Sequence, residues 1–369
     1  MPNESSHQAP IPADPSRRDT ARGRRSRPLR VESKDLAFVT SRTQNSVFFL
    51  HPLMCSRLVP ANRQAARVIA AKRARLDARF ARLIKRANRR RPDSQPQLTL
   101  EEAKLIAENL ISSALARAQE LCREDGCEAP EVYTVVVMSN HIHLVVRAQG
   151  KNLARFVGYF KARVATGINL LLGRTGSVWE RRYDTQAILD DEAALGRARY
   201  TLQNPQKAKL VHHIDEWPGF VALSGLTKSE QLASPWYDWT AWHRARCPRD
   251  LTPFRRTSDL TLSKLPALEG QSDADYARDI LESLDVLDPN ERVLGVDRVL
   301  DTDVEGRPKQ SKRARRPYAF GSLDAILKHR ACCQAIAAMY ELCSERYRRG
   351  EHVTEWPPGT YAPGLSVAA

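Results

Sequence analysis

Nothing in this chain reaches the length of apolar sequence that a membrane-spanning helix needs, and its first residues carry no apolar signal core. Cytoplasm is therefore the expected compartment, with no membrane partner. Cysteine use is equally uninviting for cross-links: seven residues, an odd number, argue for reduced thiols over a disulfide framework. Zinc-type spacing is missing too. Cys122 and Cys127, or Cys332, Cys333 and Cys343 near His329, lack the tight pairs of a structural zinc site. Acid is in deficit, with 43 Asp and Glu against 58 Lys and Arg, a net charge of +15 and a pI near 9.7. Such a balance points to a polyanionic partner, with nucleic acid ahead of an anionic membrane surface. Residues 1–30 are short of large apolar groups and rich in Pro, Ser and Arg, so they are expected to form a disordered basic tail that adds sequence-independent DNA affinity.

What is present is concentrated around one stretch. Val132-Tyr133-Thr134-Val135-Val136-Val137-Met138 runs through a polar Ser139-Asn140 break into His141-Ile142-His143-Leu144-Val145-Val146. β-branched and aromatic residues crowd both sides of the break, which predicts a hairpin of two strands. Alternation along a strand puts His141, His143 and Val145 on one face and Ile142, Leu144 and Val146 on the other. Two imidazoles fixed on one face can direct ring nitrogens at one divalent metal, although a pair supplies only part of a coordination shell. Taken alone, a His-x-His is also what two surface histidines look like.

A second motif lies downstream. Asp190-Asp191-Glu192 opens a helical pattern that Pro205 closes, with Tyr200 and Asn204 four residues apart and hence neighbours on its surface. A phenol and an amide carbonyl are thereby presented together, a candidate nucleophile beside a candidate third ligand. Tyr159 and Tyr183 have no such amide one turn on.

The Asn-His-Ile-His-Leu-Val segment, then Val178-Trp179-Glu180-Arg181-Arg182-Tyr183, then Tyr200 with Asn204-Pro205, resembles the single-tyrosine HUH transposases, in particular the REP-associated branch. The resemblance covers roughly residues 35 to 225. It implies an α+β fold with a ferredoxin-like antiparallel sheet and helices on one face. It also implies Tyr200 as nucleophile, His141 and His143 as metal ligands with Asn204 as the third, Mg²⁺ or Mn²⁺ as the metal, and single-stranded DNA folded into a hairpin as the partner. Cleavage would leave a 5′-phosphotyrosine and a free 3′ hydroxyl.

Around that core the chain divides into residues 31–225 as the nuclease domain, a basic helical insertion at about 53–98, and a mainly helical region at 226–369. Leu36 to Thr43 reads as the first strand. A helix is predicted over Ala61 to Asn88, with Ile69, Leu76, Phe80, Leu83 and Ala87 at helical spacing. Its other faces carry Arg73, Arg79 and Arg82 among nine cations against one acid, Asp77, a bias that favours DNA contact. Thr99 and Glu102 form a capping-box pattern for a helix to about Cys122, Asn152 can cap another to about Leu172, and Ser177 to Leu189 reads as a strand. Lys161, Arg181 and Arg182 are candidate phosphate contacts. Trp236, Trp239 and Trp242 sit three apart as a packing stripe, residues 250–300 read as helical, Arg307 to Arg316 is a second basic segment, and Leu323 to Arg348 is a helix. The chain is expected to act as a monomer or homodimer.

A phenol is a poor nucleophile at neutral pH because its ordinary pKa is about 10. A metal at the histidines would polarise the scissile phosphate, and a covalent tyrosine adduct would conserve the bond energy for rejoining. Two rivals have different signatures. A non-catalytic DNA-binding derivative of such a transposase would form no adduct, and a metal-dependent hydrolase would release free ends. The hydrolase needs further His or carboxylate ligands, and Val145 stands where a histidine-triad hydrolase has its third histidine.

Overall fold

The computed structural model describes residues 36–55, 63–148, 152–227, 232–285, 287–288, 290–308, 319–357 and 360. The predicted tail at 1–30 and residues 309–316 of the second basic segment lie outside them. In chain order the first half comprises β1 (Leu36–Arg42), α1 (Pro52–Cys55), α2 (Arg63–Arg90), α3 (Leu100–Glu124), β2 (Glu131–Met138), β3 (His141–Arg147), α4 (Asn152–Leu172), β4 (Asp184–Ile188), α5 (Asp191–Leu202) and α6 (Asn204–Lys207). There follow β5 (Val221–Leu223), β6 (Ala233–Tyr237), α7 (Trp239–Arg244), β7 (Arg255–Asp259), α8 (Asp273–Glu282), α9 (Val296–Asp301), β8 (Ala319–Phe320) and α10 (Leu323–Arg348). No described helix is long and apolar enough to cross a membrane.

The fold is mixed α+β around a six-stranded sheet in the order β5-β2-β3-β1-β4-β8, antiparallel except for the β4–β8 pair. β1 and β2 run parallel with β3 between them, and β3 and β4 run parallel with β1 between them. Right-handed crossovers put the helices of both connections on one face, and α3 and α4 pack on each other there. Register assigns Ala37, Val39, Leu144 and Val146 to that face, and Phe38, Thr40, His143 and Val145 to the other. The second face is not left to solvent, because α5 crosses it against β2 and β3. Helices therefore cover both faces, where one was expected. The physical reason is visible in β2, whose residues Val132 to Met138 are all buried, so that an uncovered face would leave apolar side chains in water.

Local signals place several elements. Thr99 caps α3 through its hydroxyl, which accepts from the Glu102 amide (3.2 Å), while the Glu102 carboxylate accepts from the Thr99 amide (2.7 Å). α2 buries Ile69, Leu76, Phe80, Ile84 and Ala87 along one stripe. The two-residue turn Ser139-Asn140 is held from outside: the Thr43 amide and hydroxyl donate to the Asn140 carbonyl (2.9 and 3.0 Å), and the Leu50 amide donates to that of Ser139 (2.9 Å). Asn152 donates its side-chain amide to the Glu128 carbonyl at 3.4 Å.

Three expectations are corrected. The predicted strand over Ser177 to Leu189 is a strand only at Asp184–Ile188, preceded by an isolated bridge from Trp179 to Thr43. The region 250–300 contains β7, a strand without an apolar pattern that pairs with β6 (Ala233↔Asp259 to Tyr237↔Arg255). Trp236 lies on β6 while Trp239 and Trp242 lie on α7, so the three indoles do not share one helical stripe.

The chain beyond residue 226 closes back on the first half. β8 adds to the sheet beside β4. The Ser258 hydroxyl donates to Glu120 (2.7 Å), the Phe48 amide donates to the Gly306 carbonyl (2.8 Å), and Val299 accepts from the buried His51 ring (3.0 Å).

Candidate active site

His143 sits near the middle of β3, opposite Thr40 on β1 and Val136 on β2. Its ring is buried and stacks on Phe38 with centroids 5.2 Å apart and planes 10° from parallel. Its Nδ1 lies 3.1 Å from the Thr40 hydroxyl. His141, two residues earlier on the same face and half-buried, donates from Nδ1 to the Asn140 side-chain oxygen at 2.6 Å, since that oxygen can only accept. With Nδ1 protonated, Nε2 is the nitrogen that carries the lone pair. The two imidazoles meet edge to face with centroids 4.9 Å apart. An oxygen on Nδ1 of each ring is the kind of outer support that orients metal-ligating histidines, and at His141 the acceptor-only Asn140 oxygen also sets the tautomer.

Tyr200 comes from α5, whose start is held by Asp190. That carboxylate accepts from the Ala193 amide (2.9 Å) and the Ser322 amide (2.6 Å), bonds that pull its pKa below the usual carboxylate range. The tyrosine ring packs edge-on against His143 (6.0 Å) and Phe38 (5.8 Å), all within one chain. Two cations flank it. The Arg197 guanidinium is 4.6 Å from the ring centre and 4.0 Å from that of Phe320, and the Lys207 ammonium is 4.8 Å from the tyrosine ring. Burial lowers the pKa of both cations.

Asn204 is buried and begins α6, with Gln203 between it and the end of α5. Its side-chain nitrogen donates to the Tyr200 carbonyl at 3.3 Å, which leaves Oδ1 as the acceptor end of the amide. Pro205 starts this further turn instead of ending the helix outright.

Could these residues hold a divalent cation? Among the described residues no group of three or more His, Cys, Asp and Glu side chains is assembled for a metal. The donors brought side by side are the two imidazoles, while Asn204 is placed by its bond to the Tyr200 carbonyl, so a cation held at the rings would draw its remaining ligands from water and phosphate oxygens. Such a half-filled shell suits a cation that shares itself with a phosphate substrate. Imidazole donors favour Mn²⁺ over the harder Mg²⁺.

The predicted DNA contacts divide. Arg181 pairs with Asp184 (2.8 Å), the residue that faces Thr40 on β4, so Arg181 and the exposed Arg182 sit at the same end of the sheet as His141. Lys161 donates to the Arg181 carbonyl (2.8 Å) and lies 5.2 Å from the Trp179 ring, and burial pulls its pKa down to about 8 against the opposing pull of Asp184. On α2, Arg73 and Arg82 are exposed. Arg79 is employed differently: it donates to the Leu300 and Thr302 carbonyls (2.6 and 2.5 Å), satisfying the C-terminal end of α9.

The one-sided charge of α2 also has an internal answer that its own sequence does not contain. Lys72 pairs with Asp297 (2.8 Å), Arg75 with Asp301 (3.3 Å) and Arg86 with Glu305. Arg197, Lys207, Thr40, Phe38 and Phe320 are the site residues that motif reasoning missed. Lys207 follows the Asn-Pro pair by two residues and was within reach of the motif, whereas Phe320 reaches the site only through the β4–β8 pairing. Compared with known proteins, the chain matches no family model, no curated protein and no solved structure.

Proposed function

We propose that this chain is a single-tyrosine HUH nuclease of the transposase type, cutting and rejoining single-stranded DNA through a 5′-phosphotyrosine. One observation carries the reading: the Tyr200 phenol lies against His143, between two cations, within a single chain. The strand order β2-β3-β1-β4 with α3 and α4 on one face supports it further, since this is the ferredoxin-like arrangement that the resemblance implies.

In this mechanism a strand enters with its scissile phosphate between the histidine pair and Tyr200. Arg197 and Lys207 hold the phosphate oxygens, and their desolvated charges oppose the negative charge that grows as the phosphorus becomes five-coordinate. The Tyr200 hydroxyl loses its proton to solvent and bonds to phosphorus, the P–O3′ bond breaks, and the departing 3′ oxygen takes up a proton. A divalent cation at His141 and His143, when bound, polarises the phosphate. Phe38 and Thr40 keep the His143 ring fixed while this happens. Rejoining is the same sequence in reverse.

The test is a denaturing-gel assay with 3′- and 5′-labelled hairpin DNA in Mn²⁺. A covalent protein–DNA product that carries the 5′ phosphate, and that disappears in Tyr200→Phe and in His143→Ala, is expected. Free ends without adduct would instead identify a hydrolase. Binding without cleavage, identical in wild type and Tyr200→Phe, would identify a non-catalytic DNA-binding protein.

A further inference from the structure

A cleft of about 440 Å³ opens away from the tyrosine site, between α3, α4 and the β6–α7 segment. Its floor is apolar, from Leu110 and Ala114, and its walls carry Arg117, Arg163, Trp236 and Trp239. The volume falls in the range of small-molecule sites, about 300–1,000 Å³.

Of the two guanidiniums that line this cleft, Arg117 is ion-paired and Arg163 is not. Trp236 is locked in place by a relay, its indole donating to Ser258 (2.8 Å) and Ser258 to Glu120 (2.7 Å). Glu120 is in turn paired with Arg117 at 3.1 Å, and Arg117 also holds Glu124 at 2.5 Å. The nearby Asp238 spends its carboxylate on the Ala241 amide at 2.9 Å, capping α7. Arg163 lies 4.2 Å from the Trp236 ring centre, with Arg117 5.5 Å from the same ring, and makes no ion pair with the described acids. Burial pulls the Arg163 pKa down to about 10, with Arg117 adding to the effect and Asp238 and Glu120 opposing it. A cation in this condition gains from an anion that brings its own charge into the cleft.

The second half of the chemistry is aromatic. Trp239 is half-buried and leans on Tyr237 (5.5 Å) and Trp242 (6.0 Å), so its indole is fixed by packing while part of it faces the cleft. A phosphate-sized anion alone would leave these indoles without a role, and an apolar ligand would leave the cation without one. A nucleotide satisfies both, its phosphate on the guanidinium and its base against an indole, which is how single strands are held without sequence preference.

We infer that this cleft is an accessory binding site for a nucleotide unit of single-stranded DNA, with Arg163 taking the phosphate and Trp239 the base. That the nucleotide belongs to a DNA strand and is not free rests on the proposed function, whereas the cleft's chemistry does not.

The test uses the full chain with divalent metal chelated, a short single-stranded deoxyadenosine oligonucleotide and, separately, dAMP. Arg163→Gln should weaken oligonucleotide binding about tenfold and reduce its salt slope by about 0.7. Trp239→Leu should weaken it by about as much, and ultraviolet cross-links from the wild type should map to residues 235–240. Unchanged melting temperatures in both variants would show that each is folded. Binding equal to the wild type in both variants would overturn the inference, as would dAMP binding with no oligonucleotide binding. Loss of oligonucleotide binding in the variants of a protein that forms no adduct would sink the proposed function and leave the cleft standing. Adduct formation with binding indifferent to Arg163 would do the reverse.

Discussion

His51 ties the first half of the chain to the second, and its titration gives a measurable test of how firmly. The ring is fully buried, its Nδ1 accepts from the Leu53 amide (3.1 Å), and its Nε2–H donates to the Val299 carbonyl (3.0 Å). Both nitrogens are therefore satisfied only in the neutral ring, and a second proton would point at an N–H. Burial first, and the Arg79 charge second, lower its pKa from the ordinary 6.5 to about 3, against the opposing pull of Val299 and Asp303. Between those two values the unfolded chain binds a proton that the folded chain refuses. Stability from this group is thus complete above pH 6.5 and is lost as pH falls, by about 1.4 kcal/mol per pH unit. By pH 5 the loss is about 2 kcal/mol, and it approaches about 5 kcal/mol near pH 3. Gln at position 51 can accept and donate in the same places without titrating. Urea unfolding of wild type and His51→Gln from pH 5 to pH 7.5 isolates the term, because every other group is common to both. The wild-type curve should fall toward the acid side relative to the variant by about 2 kcal/mol. A difference that stays constant across the range would refute the reasoning.

Arg197→Gln and Lys207→Gln should each slow single-turnover adduct formation on the order of tenfold to a hundredfold, by more than they weaken hairpin binding, measured by quenched-flow sampling on denaturing gels. Gly173 has φ +58°, and a Cβ there would sit 2.2 Å from the Ala87 carbonyl oxygen of α2. Gly173→Ala should therefore cost about 2–4 kcal/mol, read as a lower melting temperature, and an unchanged melt would contradict the close approach of α2 and α4. Arg73→Gln together with Arg82→Gln should reduce the salt slope of single-strand binding by about 1.4 while leaving the melt unchanged if these exposed cations contact phosphate. Arg79→Gln should instead lower the melting temperature with little effect on that slope, because its guanidinium serves the α9 carbonyls.

What could be read along the chain was local. The histidine face follows from alternation, and the start of α3 from Thr99 and Glu102. Each depends on residues within one or two turns of one another. The neighbourhood of Tyr200 was only half legible. Tyr200 and Asn204 are one turn apart and announce each other, but Phe38 and Thr40 reach His143 through the β1–β3 register across about a hundred residues, and Phe320 through a two-residue strand too short to carry a pattern. β7 escaped for a related reason, since its exposed Arg-Arg-Thr-Ser-Asp run has no alternation and is a strand because β6 is there to pair with it.

The charge of α2 makes the same division sharpest. Its sequence alone determined an amphipathic basic helix, because stripe and charge repeat every few residues. Only the tertiary structure decided that Asp297, Asp301 and Glu305 neutralise part of it and that Arg79 faces inward. A Coulomb or hydrogen-bond partner more than two hundred positions away leaves no periodic trace, since it is brought near by the closure of the whole chain and not by any local preference.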